Sequence, residues 1–130
     1  AQRLVLRLCP DCKKEEKAPS EIQTMIQETL RTLNPTIKTK LTYKAPYIIY
    51  RRYPKTDCKI CKGKGTVGRT ALFELFRMTR ELGDLVNTGF TEGKLWDEAK
   101  RQGIVTLRED GVLKALEGKI SIEEVMRETV

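Results

Sequence analysis

Two short cysteine motifs constrain this chain more than any other feature. They read Cys9-Pro10-Asp11-Cys12 and Cys58-Lys59-Ile60-Cys61, and they contain all four cysteines of the sequence. A C-x-x-C turn directs two thiolates toward one point, and two such turns complete the tetrahedral four-sulfur shell that Zn²⁺ prefers in structural sites. The sequence has no histidine that would hold an open catalytic position. The motifs therefore predict a structural zinc site formed by Cys9, Cys12, Cys58 and Cys61.

Paired cysteines have other uses. Disulfides persist in secreted proteins, but the sequence shows no signal peptide and no apolar run of transmembrane length, so we expect a cytoplasmic protein. A redox motif is a single C-x-x-C at a helix start within a βαβ unit, whereas this chain has two widely separated copies. An iron–sulfur cluster also binds four thiolates and is the remaining alternative to zinc.

Charge divides the 130 residues into two parts. Residues 1–70 carry 16 Lys and Arg against 6 Asp and Glu, whereas residues 71–130 carry 9 against 12, which gives the net charge of +7. We therefore expect two small lobes, of which the first is basic and is cross-linked by the metal ion. A basic lobe suits an anionic partner, such as nucleic acid, a lipid headgroup or an acidic protein, but a solvated lysine-rich face is an equally ordinary interpretation.

The first half of the chain shows patterns of both strand and helix. Residues Gln2–Leu8 alternate with Leu4, Leu6 and Leu8 on one side, which predicts a strand, and the missing N-cap suggests that the chain begins inside a larger protein. Residues 13–18 read as a charged loop. An apolar stripe then predicts a helix that Ser20 and Gln23 would cap as a capping box and that Asn34-Pro35 would end.

Residues 36–43 and 47–50 are β-branched and aromatic, so they predict a hairpin. Tyrosines and basic side chains alternate here, as they would in a base-stacking platform, although tyrosines packed under lysine stems in a small core are the favoured interpretation. The candidate partner-binding residues are basic and lie around the second cysteine motif: Arg51, Arg52, Lys55, Lys59, Lys62 and Lys64.

The segment Gly63–Thr70 differs by one residue from a phosphate loop, because Arg69 stands where that loop has lysine. A planar guanidinium does not replace the compact lysine ammonium on terminal phosphates. A phosphate loop also opens a helix, whereas residues 70–76 read as a strand. We therefore reject nucleotide binding at this segment.

The remainder predicts four short helices that begin after Thr79, Thr91, Thr106 and Ser121. Gly103 is expected to end the second of them, with Trp96 and Ala99 facing inward, and Ser121 and Glu124 form a second capping box. A helix-turn-helix reader of DNA is disfavoured because this part is acidic and its helices lack a basic face. A helical bundle is the favoured interpretation.

Several motifs together resemble one family. The segment Ala1–Cys12, the motif Cys58–Cys61, the segment Gly68–Leu75 and a closing pattern over 99–125 are similar to the C-terminal part of the hexameric ATPases of type II secretion and type IV pilus assembly. The resemblance covers both ends of the chain and leaves residues 13–54 unplaced. Those ATPases bind ATP and Mg²⁺ upstream of the part that corresponds to Ala1, so we do not expect this chain to be active alone.

The resemblance implies a division of the chain. Residues 1–8 and 66–77 would be paired strands left from a RecA-like motor domain, residues 9–65 a zinc-binding insert between them, and residues 78–130 a helical C-terminal domain. The fold class is thus α+β, with a tetracysteine lobe followed by a four-helix bundle. Arg69 and Glu74 match family positions and are candidates for contacts within the motor core.

The same resemblance implies partners. The zinc lobe would couple or dock the motor to an inner-membrane platform protein, at the cytoplasmic side of the inner membrane, and neighbouring subunits would complete a homohexamer. The alternative function, from the residues alone, is a zinc-ribbon module that binds nucleic acid.

Overall fold

The computed structural model describes residues 1–129 and has a mixed α+β fold. In chain order these residues form β1 (Gln2–Leu8), β2 (Lys14–Lys17), α1 (Ser20–Arg31), α2 (Pro35–Lys38), β3 (Ile48–Arg51), β4 (Thr66–Phe73), α3 (Arg80–Thr88), α4 (Glu92–Gln102), α5 (Leu107–Leu116) and α6 (Ile122–Glu128). Within this range no helix combines the length and the hydropathy that crossing a bilayer requires.

Strands β1 and β4, here called the stem, pair antiparallel, with Val5 opposite Thr70 and Leu4 opposite Ala71. The predicted pairing of these two segments is confirmed, although the second strand ends at Phe73. Val5 is buried, whereas Leu4 is 55% exposed on the opposite face. The ladder is irregular between Leu6 and Leu8, and Leu8 is buried as well.

The predicted hairpin of residues 36–43 and 47–50 is wrong. Strand β3 pairs instead with β2, the charged segment that was predicted to be a loop. The short helix α2 replaces the first strand of the hairpin because Pro35 occupies its first turn and Asn34 accepts a hydrogen bond from the backbone N–H of Thr36.

The predicted capping box at Ser20 is also wrong. Pro19 is the N-cap residue of α1, and no side chain caps this helix. Gln23 turns away from the helix start: its amide nitrogen donates to the carbonyls of Ala18 and Tyr47, and its amide oxygen accepts from the backbone N–H of Tyr47. The amide of Gln23 therefore hydrogen-bonds to Ala18 and Tyr47 instead of forming the local capping box with Ser20.

The four C-terminal helices are confirmed, each with its predicted N-cap. Thr79, Thr91, Thr106 and Ser121 accept hydrogen bonds from the backbone N–H groups of Leu82, Lys94, Glu109 and Glu124 respectively. Gly103 ends α4 in the left-handed conformation, as expected. Trp96, however, is 47% exposed rather than inward. Val130, the last residue of the predicted C-terminal domain, lies outside the described residues.

These helices do not form the predicted four-helix bundle. Helix α3 packs with α4, whereas α5 packs with α6, with α1 of the insert and with strands β3 and β4. The two-lobe expectation is therefore wrong as well, because one hydrophobic cluster joins the insert, the stem and the last two helices. Representative buried members of that cluster, in chain order, are Val5, Ile26, Ile49, Leu72, Val112 and Val125.

Candidate metal centre

The two cysteine motifs meet at one end of the stem. Cys9 directly follows β1, and Gly65 directly precedes β4. The backbone N–H of Cys9 donates to the carbonyl of Gly65 at 3.0 Å, which holds the two ends of the insert together. Strand pairing over β1 and β4 therefore brings the motifs into contact although Cys12 and Cys61 are 49 positions apart.

The four sulfur atoms form one compact cluster. All of them lie within 4.8 Å of one another, with the Sγ atoms of Cys9 and Cys58 at 3.8 Å and those of Cys12 and Cys61 at 3.5 Å. Metal–sulfur bonds of about 2.3 Å in a tetrahedral shell place neighbouring sulfurs roughly 3.8 Å apart. The donor set therefore fits a single tetrahedral metal ion.

Backbone groups shape the two cysteine turns. In the first turn the carbonyl of Cys9 accepts from the backbone N–H groups of both Cys12 and Lys13. In the second turn the backbone N–H of Gly65 donates to the Sγ of Cys61 at 3.2 Å. Gly65 has a φ of 76°, a conformation that glycine adopts without strain. Such N–H···S bonds stabilise a thiolate and orient it toward a metal.

The thiols differ in how easily they lose their protons. Burial raises the pKa of Cys12 above the ordinary thiol value, and neighbouring thiols add to this effect. Burial opposes ionisation of Cys61 also, but hydrogen bonds from the backbone of Gly65 and from the other thiols outweigh it, so the pKa of Cys61 is lowered. The backbone N–H of Gly65 thus favours the thiolate form of Cys61.

The geometry argues against the alternatives to a single ion. All four cysteines are free, and the sulfur separations of 3.5 and 3.8 Å exceed a disulfide bond of about 2.05 Å. In a polynuclear iron–sulfur cluster the thiolates bind different irons, which would hold the sulfurs farther apart than a single shared ion does.

The six basic candidate residues do not share one environment. Arg51 forms ion pairs with Glu16 and, at 2.8 Å, with Glu123 of α6. Lys55 donates to the carbonyl of Asp11 at 3.0 Å, and the aliphatic part of the Arg52 side chain lies against Gly65.

Three of the six lie on or just after the second cysteine turn. We call them the tip lysines: Lys59, Lys62 and Lys64. All three are exposed, and within residues 1–129 none of them is in an ion pair. Ile60, between the two cysteines of that turn, is 47% exposed. The tip therefore combines unpaired positive charge with one apolar side chain.

The tyrosines differ in exposure, from the buried Tyr47 to Tyr53, which is 53% exposed. Tyr47 is buried in the hydrophobic cluster. The ammonium of Lys13 lies 5.0 Å from the ring centroid of Tyr50, and that of Lys14 lies 3.7 Å from the ring centroid of Tyr53. Tyrosines packed under lysine side chains, the favoured interpretation from sequence, describe this arrangement.

The two candidate motor contacts lie on the stem, away from the cysteines. Arg69 is exposed and pairs in register with Leu6. Glu74 follows β4, and its carboxylate accepts the backbone N–H of Leu107 at 3.0 Å, which supports the first turn of α5. Neither residue contributes to the cysteine cluster.

Sequence reasoning missed the residues that connect the cluster to the C-terminal helices. Lys13 donates to the carbonyl of Gly118, and the backbone N–H of Leu8 donates to the carbonyl of Lys119. A glycine shortly after a helix signals a helix end, but no local pattern identifies a lysine 105 positions away as its partner.

Comparisons with known proteins assign the chain to a family. A family model described as "Type II/IV secretion system protein" matches residues 1–127. The chain is 35% identical over 130 residues to the type IV pilus assembly ATPase PilB of Thermus thermophilus, covering 100% of this chain and 13% of that protein. It is 34% identical over 129 residues to the type II secretion system ATPase E of Vibrio cholerae, covering 99% of this chain and 22% of that protein.

These matches extend the resemblance noted from motifs. They run through residues 13–54, which the motifs had left unplaced. The chain spans only 13% and 22% of the length of these two relatives. The match over residues 1–127 is nevertheless almost the whole of this chain, and the chain therefore belongs to the type II/IV secretion system protein family.

Proposed function

We propose that this chain is a non-catalytic, C-terminal part of an ATPase that drives type II secretion or type IV pilus assembly. Two observations support this. The similar proteins are named as ATPases of those two systems. The segment that resembles a phosphate loop, Gly63–Thr70, runs into strand β4 and leads to no helix that could bind a phosphate at its N-terminus. ATP and Mg²⁺ would be bound by other parts of the full-length protein.

The cysteine cluster holds a structural Zn²⁺ in this proposal. Four thiolates at Cys9, Cys12, Cys58 and Cys61 fill a tetrahedral shell and leave no position for water, so the ion would have no chemistry of its own. Its task is to fix the two turns at the end of the stem. Because the stem strands adjoin both turns, the ion makes the insert a rigid extension of those strands.

The observation that carries the functional proposal is the position of the tip lysines, Lys59, Lys62 and Lys64, on the metal-bound turn. They are exposed and unpaired among the described residues, whereas Arg51 is committed to ion pairs. We propose that they dock against an acidic surface of an inner-membrane platform protein, with Ile60 as an apolar contact. Unpaired charges at the rim of an interface speed association and select the partner.

The full-length protein would then work at the cytoplasmic side of the inner membrane, as a homohexamer. Arg69 and Glu74 would contribute to contacts within the motor core or with a neighbouring subunit. The stem supports such a role because one of its faces exposes Leu4 and Phe73, which are 55% and 45% exposed. Nucleic acid is the less favoured partner because Tyr47 is buried and lysine ammonium groups lie near the rings of Tyr50 and Tyr53.

Charge reversal of the tip lysines in the full-length protein tests the docking proposal. The triple variant Lys59→Glu, Lys62→Glu and Lys64→Glu should abolish secretion or piliation while zinc content and basal ATPase activity stay near wild type. A matched control reverses three other exposed lysines of the insert: Lys17, Lys40 and Lys44. The control should retain function. Normal export in the tip variant with zinc retained would contradict the proposal.

The same variants separate a protein partner from nucleic acid. If the tip lysines contact DNA phosphates, affinity for duplex DNA should fall with salt at a slope of roughly 0.9 per contact, and the tip variant should lose that slope. We expect weak DNA binding that does not depend on sequence and that the tip lysines do not dominate. Salt-dependent, high-affinity DNA binding abolished in the tip variant would favour the nucleic-acid module.

A further inference from the structure

The residues on both sides of the first cysteine motif bind the same turn of the C-terminal half. Leu8, just before Cys9, donates its backbone N–H to the carbonyl of Lys119 at 2.9 Å. Lys13, just after Cys12, donates its Nζ to the carbonyl of Gly118 at 2.9 Å. Gly118 and Lys119 form the turn between α5 and α6, so two hydrogen bonds attach the cysteine motif to that turn.

The contact at Gly118 is close and specific to glycine. Its φ is 75°, in the left-handed region. A Cβ at this position would lie 3.0 Å from the Nζ of Lys13 and 3.1 Å from ring carbons of Tyr50. The Lys13 ammonium also lies 5.0 Å from the centroid of that ring. Lys13 therefore fills a site built from a carbonyl and an aromatic face, a combination that suits an ammonium group.

The helices on either side of this turn bind the outer edges of the stem. On α6, the carboxylate of Glu124 accepts the backbone N–H of Leu6 in β1 at 3.0 Å. On α5, Lys114 donates to the carbonyl of Ala71 at 2.7 Å, and Asp110 accepts the backbone N–H of Phe73 at 2.9 Å, both in β4. A displacement of α5 and α6 would therefore change the edges of both strands.

We propose that Lys13 is a latch that couples metal binding at the cysteine cluster to the order of the α5–α6 turn, and through that turn to both stem strands. The inference rests on the metal site proposed above. A bound ion fixes the backbone at Cys12 and so aims the neighbouring Lys13 at Gly118, which lowers the entropy cost of ordering its long side chain. Because coupling is reciprocal, an ordered turn also strengthens metal binding.

The test compares two adjacent lysines in the 130-residue chain. Lys13→Met removes the ammonium and keeps the aliphatic stem, and Lys14→Met is its matched control because the Lys14 ammonium lies over the exposed ring of Tyr53. Zinc affinity is measured by competition with a chromophoric chelator. Coupling of ordinary strength predicts about tenfold weaker binding for Lys13→Met. The Lys14→Met control should bind zinc as tightly as wild type.

Backbone hydrogen exchange provides the second readout. In the wild type, zinc should slow exchange of the amides of residues 118–121 and of Leu6, and in Lys13→Met this response should be lost while Lys14→Met retains it. The variant Lys13→Arg, which keeps a cationic donor, should recover part of the response. Equal zinc-dependent protection in Lys13→Met and wild type would overturn the latch.

A substitution at Gly118, the partner of Lys13, distinguishes loss of the coupling from a general loss of stability in the Lys13 variant. Gly118→Ala leaves the cysteines and Lys13 intact but places a Cβ against both Lys13 and Tyr50. It should weaken zinc binding, although no ligand has changed. If Lys13→Met and Gly118→Ala both bind zinc as the wild type does, the coupling is absent. If the wild type binds no metal at all, the metal site itself is refuted, and the latch with it.

Discussion

Glu124 in α6 accepts a hydrogen bond from the backbone N–H of Leu6 in β1 at 3.0 Å, across 118 positions of sequence. The carboxylate is buried and also accepts from the guanidinium of Arg127 at 2.9 Å. Glu124 lies on α6, which packs against β1, so the N–H of Leu6 points to the outer edge of β1 rather than toward β4. An unpaired donor there would be costly, and Glu124 supplies the missing acceptor.

Removal of that acceptor should destabilise the fold. Glu124→Ala leaves the N–H of Leu6 without its partner, so we expect a loss of roughly 1–3 kcal/mol in the free energy of unfolding. The matched control is Glu128→Ala, which removes a pair with the exposed side chain of Arg127 and should change stability by less than about 0.5 kcal/mol. Urea unfolding measures both. Equal effects of the two substitutions would contradict a special role for Glu124.

Two glycines in helices should respond to alanine with opposite signs. A Cβ at Gly111 in α5 would lie 2.8 Å from a methyl carbon of Val125 and 3.3 Å from one of Leu72, so Gly111→Ala should destabilise the protein by roughly 1–3 kcal/mol. A Cβ at Gly83 in α3 meets nothing within 4 Å. Gly83→Ala should therefore raise stability by about 0.5–1 kcal/mol through helix propensity. A stabilising Gly111→Ala would show that α5 does not approach α6 and β4 this closely.

The contact between α3 and α4 should weaken in acid. Hydrogen bonds from Arg101 are the largest cause that lowers the pKa of buried Glu98, to about 2 from 4.5, while burial opposes the shift and Thr79 and Gln102 assist it. A lowered pKa in the folded state stabilises the fold above about pH 4.5, and this stabilisation is lost as the pH falls toward 2.

The comparison chain for this prediction is Glu98→Gln, which cannot ionise at that position. Its urea midpoint should lie below that of the wild type at pH 7, and the difference should shrink as the pH is lowered from 4.5 toward 2. The amides of α3 and α4 report the same change by nuclear magnetic resonance. A constant difference across that pH range would refute the assignment of the shift to Glu98.

Nucleotide should not bind to this chain alone. The backbone of residues 66–70 is held in β4 by pairing with β1, so it cannot wrap a phosphate. Calorimetric titration with MgATP at micromolar protein should therefore show no saturable heat. Saturable binding that disappears in Arg69→Ala would overturn this conclusion, because Arg69 occupies the position of the loop lysine.

Local signals in the sequence predicted part of the structure correctly. The cysteine spacing identified the four residues that cluster, because a C-x-x-C turn restricts where two sulfurs can point. The threonines and the serine before each C-terminal helix were predicted as N-caps for a similar reason, since a side-chain oxygen there satisfies a nearby backbone N–H. Such features depend on a few neighbouring residues.

The features that sequence reasoning missed depend on distant partners. Strand β2 consists only of charged residues, so no alternation of apolar residues reveals it, and β3 supplies its hydrogen bonds. The alternation of β1 separates Leu4 and Leu6 from Val5 but does not tell which face is buried, and packing of α5 and α6 places Val5 inside. The prediction of a four-helix bundle was wrong for the same reason, because α5 and α6 bury their apolar faces against the insert and the stem. Periodicity identifies an apolar face but not the element that covers it.

Zinc K-edge X-ray absorption of the chain, purified without oxygen, shows whether the four cysteines hold one structural zinc ion. We expect one metal shell of four sulfur atoms at about 2.3 Å, with no lighter ligand. Replacement of Cys58 by serine should lower the zinc content or introduce an oxygen ligand. Absence of zinc from the wild-type chain, or a first shell with nitrogen or oxygen at about 2.0 Å, would show that the four cysteines do not form a structural zinc site.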